Sequence, residues 1–89
     1  MSMEEILQAL DAFVREHFEI EPDDEDYSED VNLFEFGYVD SMGATEIVLF
    51  AEERFGIHIT QKDITLYPMN TVREIAAVVF RKIAGEKTY

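Results

Sequence analysis

Leu33-Phe34-Glu35-Phe36-Gly37-Tyr38-Val39-Asp40-Ser41-Met42 is the stretch on which the reading of this chain turns. Val31, Leu33, Phe34 and Phe36 form an apolar knot, and Gly37 behind it marks a turn. Asp40 and Ser41 both carry a side-chain oxygen able to accept an amide from the first turn of a helix. After them Ala44, Ile47, Val48, Ala51 and Phe55 recur at three-to-four-residue spacing, until Gly56 closes the segment. The stretch therefore predicts a pinned turn feeding a helix that opens at Ser41.

Upstream, Ser2 followed three residues later by Glu5 is a capping-box pattern. Ile6, Leu7, Leu10, Phe13, Val14 and Phe18 continue it as an amphipathic helix that ends near Phe18. Glu19 to Tyr38, with Pro22 and carboxylates from Asp23 to Asp26, reads as a long loop pinned at its far end. Structureless loops beyond about 12–15 residues are uncommon in small domains unless they serve a purpose. Downstream, Ile57 and Ile59 pack a turn, Thr60 and Asp63 cap a short helix over about Gln61 to Thr65, and Pro68 forbids its extension. Thr71 and Glu74 form another capping box before Val72, Ile75, Ala76, Val79, Phe80 and Ile83, with Gly85 as terminator. Tyr89 ends a short mixed-charge tail. The prediction is an all-α domain with three main helices, a short third helix and a long loop between helices one and two. It is a single domain over 1–89, with its core over about 3–84.

At 89 residues the chain has no length for a second domain. Its formal net charge of -13, from 20 acidic and 7 basic residues, makes nucleic acid and anionic membrane poor partners. A hydrophobic fraction of 47% is too high for a disordered acidic chain. With no cysteine there is no disulfide, no thiolate nucleophile and no sulfur-ligated zinc. Met1 begins no basic stretch leading into an apolar run, and no apolar run reaches spanning length, so the expectation is a cytoplasmic monomer without a membrane span.

The charge is unevenly placed. Glu16 to Glu53 holds fourteen acidic residues and no Lys or Arg, whereas Arg54 to Tyr89 holds three acidic and six basic ones. On a helical wheel starting at Ser41, the face opposite the core stripe carries Met42, Leu49, Glu46 and Glu53, flanked by Ser41, Thr45 and Glu52. Two flexible apolar groups ringed by carboxylates suit docking to a basic, partly apolar partner surface, charge steering the encounter and Met or Leu supplying burial. Scattered exposed apolar residues on a solvated acidic face are the bland alternative.

These residues carry a resemblance. Leu33 to Met42, the helix through Glu46, and Glu52-Glu53-Arg54-Phe55-Gly56-Ile57 are similar over most of the chain to the acyl carrier protein family. That resemblance implies a four-helix carrier bundle that is not an enzyme. It makes Ser41 the residue to which a phosphopantetheinyl transferase attaches 4'-phosphopantetheine from coenzyme A. Asp40 becomes both cap and an aid to the transferase. An acyl or aminoacyl group would then ride as a thioester on the pantetheine thiol, presented to loading and processing enzymes with basic docking patches. Met42, Thr45, Glu46, Leu49 and Glu53 fall at the family's partner contacts. Phe34, Val39, Val48, Phe55, Ile59, Ile64 and Ile75 would face an acyl cavity, and read equally as core.

Carriers of fatty-acid synthesis typically show glycine, one residue, then Asp-Ser-Leu. Here both Tyr38 and Val39 separate Gly37 from Asp40, and Met42 and Gly43 follow Ser41. This Gly-x-x-Asp-Ser-Met-Gly form resembles the D-alanyl carrier proteins and other stand-alone carriers. Gly43 in the first turn is expected to loosen the helix where the arm attaches. Two other chemistries compete. Asp24, Asp26, Ser28 and Glu35 match positions of a calcium loop, but Glu29 stands where that loop needs glycine; the rival reading is an unmodified acidic interaction module, with or without a response to calcium. Val39 to Gly43 resembles a hydrolase elbow without its first glycine and without strands to carry it. His17 reads as a partner of its own helix dipole and His58 as a loop residue.

Overall fold

Ser2 opens the first helix as its capping box requires: the Glu5 amide donates to Ser2 Oγ at 3.1 Å, and the Ser2 amide to Glu5 Oε1 at 2.8 Å. A computed structural model describes residues 1–85, so the tail ending at Tyr89 lies outside the described residues. The regular structure among them is four helices: α1 (Met3–His17), α2 (Ser41–Phe55), α3 (Gln61–Leu66) and α4 (Val72–Ala84). This is the expected all-α arrangement, three main helices with a short third one between them. α3 runs one residue past its expected end at Thr65, because the Tyr67 amide still reaches the Asp63 carbonyl at 3.0 Å before Pro68 stops the helix.

α1 stops in a Schellman arrangement. The Ile20 amide donates to the Arg15 carbonyl at 2.9 Å and the Glu19 amide to the Glu16 carbonyl at 3.3 Å. Such a reversal needs a left-handed residue, and Glu19 supplies it at φ 56° where glycine would be unstrained. Burial of Ile20 is what holds it there.

The apolar stripe of α1 (Ile6, Leu10, Val14) lies along that of α4 (Val72, Ala76, Val79), and α2 closes the core with Ile47 and Ala51. Each fully buried aliphatic side chain stabilises the fold by roughly 1.5–3 kcal/mol. α2 also meets α1 through the rings of Phe13 and Phe50, stacked at 4.1 Å and 10°. Phe50 lies outside the predicted stripe, since it is only partly buried and faces α1 from the side of the helix.

The long loop is pinned along its length as well as at its end. Buried Tyr27 donates its hydroxyl to Asp11 at 2.6 Å, while Arg15 lies over its ring at 4.4 Å and holds the other Asp11 oxygen at 3.0 Å. Arg73 on α4 grips Asp30 at 2.6 Å and Glu29 at 3.3 Å. Leu33 is fully buried; its amide donates to the Asn70 carbonyl at 2.9 Å, and its carbonyl accepts the amides of Tyr38 and Val39. α3 is fastened by an ion pair: buried Asp63 receives Lys82 Nζ from α4 at 2.7 Å while completing a capping box with Thr60.

Candidate functional site

The turn before α2 hangs from Leu33. Gly37 takes φ 78°, its amide donating to the Phe34 carbonyl at 3.1 Å, and the next two amides return to the Leu33 carbonyl at 3.0 and 3.1 Å. Val39 goes inward and is buried, while Tyr38, half-buried against the core, gives its hydroxyl to both oxygens of Asp24 at 3.0 Å each. Burial and the neighbouring Asp24 carboxylate both push the Tyr38 phenol's pKa up, so it remains a donor at neutral pH. Tyr27 is pushed up likewise, by burial first and by Asp11 second.

Extended Asp40 caps α2, its Oδ1 accepting the Gly43 amide at 2.8 Å and its carbonyl accepting Ala44. Ser41 is the first helical residue and is exposed; its hydroxyl makes no hydrogen bond among the described residues, and its carbonyl accepts Thr45 Oγ1 at 3.3 Å. The amides of Ser41 and Met42 have no carbonyl one turn earlier to bond, so the positive end of a 15-residue helix dipole faces the position of this hydroxyl.

Gly43, expected to loosen the first turn, has a packing role that its sequence position did not reveal: it is buried beneath the end of α1, where a Cβ would lie 2.7 Å from Phe18 Cε1 and 3.1 Å from Val39 Cγ1. The missing side chain makes room for the Phe18 ring.

Met42, Thr45, Glu46, Leu49 and Glu53 are all exposed on α2, with Met42 72% and Leu49 54% accessible. Glu46 is not a free charge: its Oε1 lies 2.9 Å from Nε2 of His17, whose ring stacks on Phe13 at 4.8 Å. His17, expected to serve only its own helix end, therefore bridges α1 to α2. Glu52 turns from this face to accept the Ile59 amide at 2.9 Å, with His58 Nδ1 at 3.2 Å, which gives His58 a partner that its loop position did not reveal.

Two depressions lie beside the first half of α2. A cleft of about 460 Å³ lies between α2, α3 and the turn before α4, walled by Leu33, Phe34, Ala44, Val48, Ile64 and Ile75. A second hollow, by the start of α2, is formed by Phe18, Tyr38, Met42, Gly43 and Glu46, and shares Phe34 with the first. Of the residues that the resemblance would place at an acyl cavity, Phe34, Val48, Ile64 and Ile75 line this cleft. Val39, Phe55 and Ile59 do not: Val39 and Ile59 are buried in the core and Phe55 packs edge-on against Phe50 at 6.4 Å. Phe34 and Ile64 are not core residues either, being 38% and 46% accessible. Phe36, a member of the apolar knot in the sequence, and Leu66 on the short helix are both exposed, and neither element is long enough for periodicity to reveal a face.

Two residues of the calcium-loop pattern have partners within the protein. Asp24 spends its carboxylate on Tyr38 and on the Asp26 amide, Ser28 accepts the Asp30 amide, and no three His, Asp or Glu side chains gather at metal-binding distance among the described residues. No described helix is long and apolar enough to cross a membrane.

Comparison with known proteins agrees with this geometry. A family model described as phosphopantetheine attachment site matches residues 8–79. The chain is similar to a D-alanyl carrier protein of Abiotrophia defectiva, 32% identical over 56 residues that cover 63% of this chain and 71% of that protein.

Proposed function

Because this chain belongs to the phosphopantetheine-attachment family of carrier proteins, which carry 4'-phosphopantetheine covalently and have no catalysis of their own, we propose that Ser41 is the attachment residue. The observation behind this reading is the exposed, unengaged hydroxyl on the first residue of α2. The residues fit the group. A phosphodiester is favoured at a helix N-terminus with unpaired amides. Asp40 takes the Gly43 amide, which leaves the Ser41 and Met42 amides for the phosphodiester. The group supplies a terminal thiol for an acyl or aminoacyl thioester, which a chain without cysteine cannot supply itself.

The chain's own part is presentation. Asp40 fixes the start of α2 and, with Ser41, is what the phosphopantetheinyl transferase meets. Met42 and Leu49 offer apolar area, and Thr45, Glu46 and Glu53 surround it with polar and negative groups, a surface suited to loading and processing enzymes with basic patches. The cargo is an acyl or aminoacyl group. The likeness to a D-alanyl carrier, together with the Gly-x-x-Asp-Ser-Met-Gly motif, leans toward aminoacyl cargo. The chain acts as one domain and a monomer, in the cytoplasm where coenzyme A and the transferase meet it.

Intact mass spectrometry after incubation with coenzyme A and a phosphopantetheinyl transferase tests the assignment. One pantetheine addition on the wild type and none on Ser41→Ala is expected. No addition, or equal addition to the variant, points instead to an unmodified acidic interaction module.

A further inference from the structure

Between Gly37 and Asp40 the chain holds two residues whose amides return to a single carbonyl, that of Leu33. That ties the inner side of the turn. The Tyr38 hydroxyl ties it to the long loop, held 3.0 Å from each oxygen of Asp24 in the carboxylate run. The Tyr38 ring meets Tyr27 edge-on at 5.6 Å and lies parallel to Phe36 at 6.4 Å. Tyr27 in turn gives its hydroxyl to Asp11 at 2.6 Å. The chain of contacts therefore runs from α1 through two tyrosines to the turn, and ends two residues before Asp40. Displacement of Tyr38 passes along that short turn to Asp40, whose carboxylate sets the first turn of α2 through the Gly43 amide.

We infer that Tyr38 is a positioning residue for modification at Ser41, with Asp24 as its partner: their hydrogen bond orders the turn so that Ser41 meets the transferase already placed. The inference rests on Ser41 being the attachment residue. Neither side chain touches the reacting hydroxyl; both act through Asp40. A turn left mobile must be ordered during the encounter, and that ordering weakens association without altering the chemistry once the complex has formed.

The test is steady-state transfer of pantetheine from coenzyme A to the full chain by a phosphopantetheinyl transferase, at a temperature where circular dichroism shows every variant folded. Tyr38→Phe removes one oxygen and keeps the ring. It is expected to raise KM for the carrier by about 3- to 10-fold with kcat unchanged. Asp24→Ala should do the same, and Tyr38→Phe should add nothing in the Asp24→Ala background. Val79→Ala, in the core of α4 away from the site, lowers stability and should leave both constants alone. Unchanged KM in Tyr38→Phe, effects that multiply in the double variant, or an equal KM rise in Val79→Ala overturns the inference. Failure of the wild type to gain mass at Ser41 would instead overturn the attachment reading beneath it.

Discussion

Replacing Gly43 by alanine sets two opposing effects against each other at the site. Carbon atoms in contact sit about 3.5–4.0 Å apart. The new Cβ would lie 2.7 Å from Phe18 Cε1, 3.1 Å from Phe18 Cζ and 3.1 Å from Val39 Cγ1. The ring must therefore retreat by about 1 Å and Val39 by a few tenths of an ångström. Overpacking of this kind costs about 1–3 kcal/mol, while alanine in place of glycine favours the helix by at most about 1 kcal/mol, less in a first turn. The contact wins, and Gly43→Ala is expected to destabilise the domain by about 1 kcal/mol, a fall of roughly 4–8 °C in Tm for a chain of this size. Urea unfolding followed by circular dichroism reads the free energy directly. The Phe18→Ala background is the control, because with the ring gone the substitution should become neutral or stabilising. A gain of stability from Gly43→Ala in the wild-type background would refute the reasoning, since helix propensity alone would then account for residue 43.

Three further outcomes follow from the same packing. Lys82→Met removes the partner of buried Asp63 and should cost about 3 kcal/mol at neutral pH by urea unfolding. Burial alone would raise the Asp63 pKa, but Lys82 and the Thr60 hydrogen bonds outweigh it and hold the carboxyl below its usual value. Protons therefore bind the unfolded chain more tightly, so the contribution of Asp63 is complete above about pH 4 and is lost as pH falls through the depressed folded value. The variant should show a shallower acid decline than the wild type, and equal slopes would count against the pair. Glu19→Gly relieves the left-handed strain at φ 56°, less the backbone entropy of glycine, and should raise stability by about 0.5–1 kcal/mol in thermal unfolding; a loss would show that the Glu19 side chain is needed. Glu53→Lys on the exposed face of α2 should slow transfer of pantetheine at low ionic strength by roughly tenfold, the gap closing as salt shortens the Debye length. A rate deficit that ignores salt would mean that Glu53 does not steer the encounter.

Helix boundaries were legible because capping is local. Ser2 with Glu5, Thr60 with Asp63 and Thr71 with Glu74 all form the reciprocal bonds that their spacing implied, and Gly56 closes α2 at φ 67°. Exposure of Ser41, Met42, Leu49 and Glu53 followed from the periodicity of a helix long enough to have faces. α3, one and a half turns long, has no such faces. Its buried residue is Asp63, whereas Ile64 and Leu66 are exposed, the reverse of what apolar character predicts. The Lys82 charge on the neighbouring helix is what makes that reversal tolerable.

By itself, then, the sequence determined an acidic four-helix chain, where each helix starts, and a serine at the first turn of the second. Those features depend on residues within a turn of one another, and on backbone amides that seek the nearest acceptor. The tertiary structure alone decided that Gly43 makes room for Phe18, that Asp24 holds Tyr38, and that Glu46 is paired with His17. Each of those depends on the angle at which α1 meets α2 and on the path of the loop between them. Both are set by the joint burial of Leu33, Tyr27 and the facing helix stripes, a sum over residues distant in the chain that no local pattern contains.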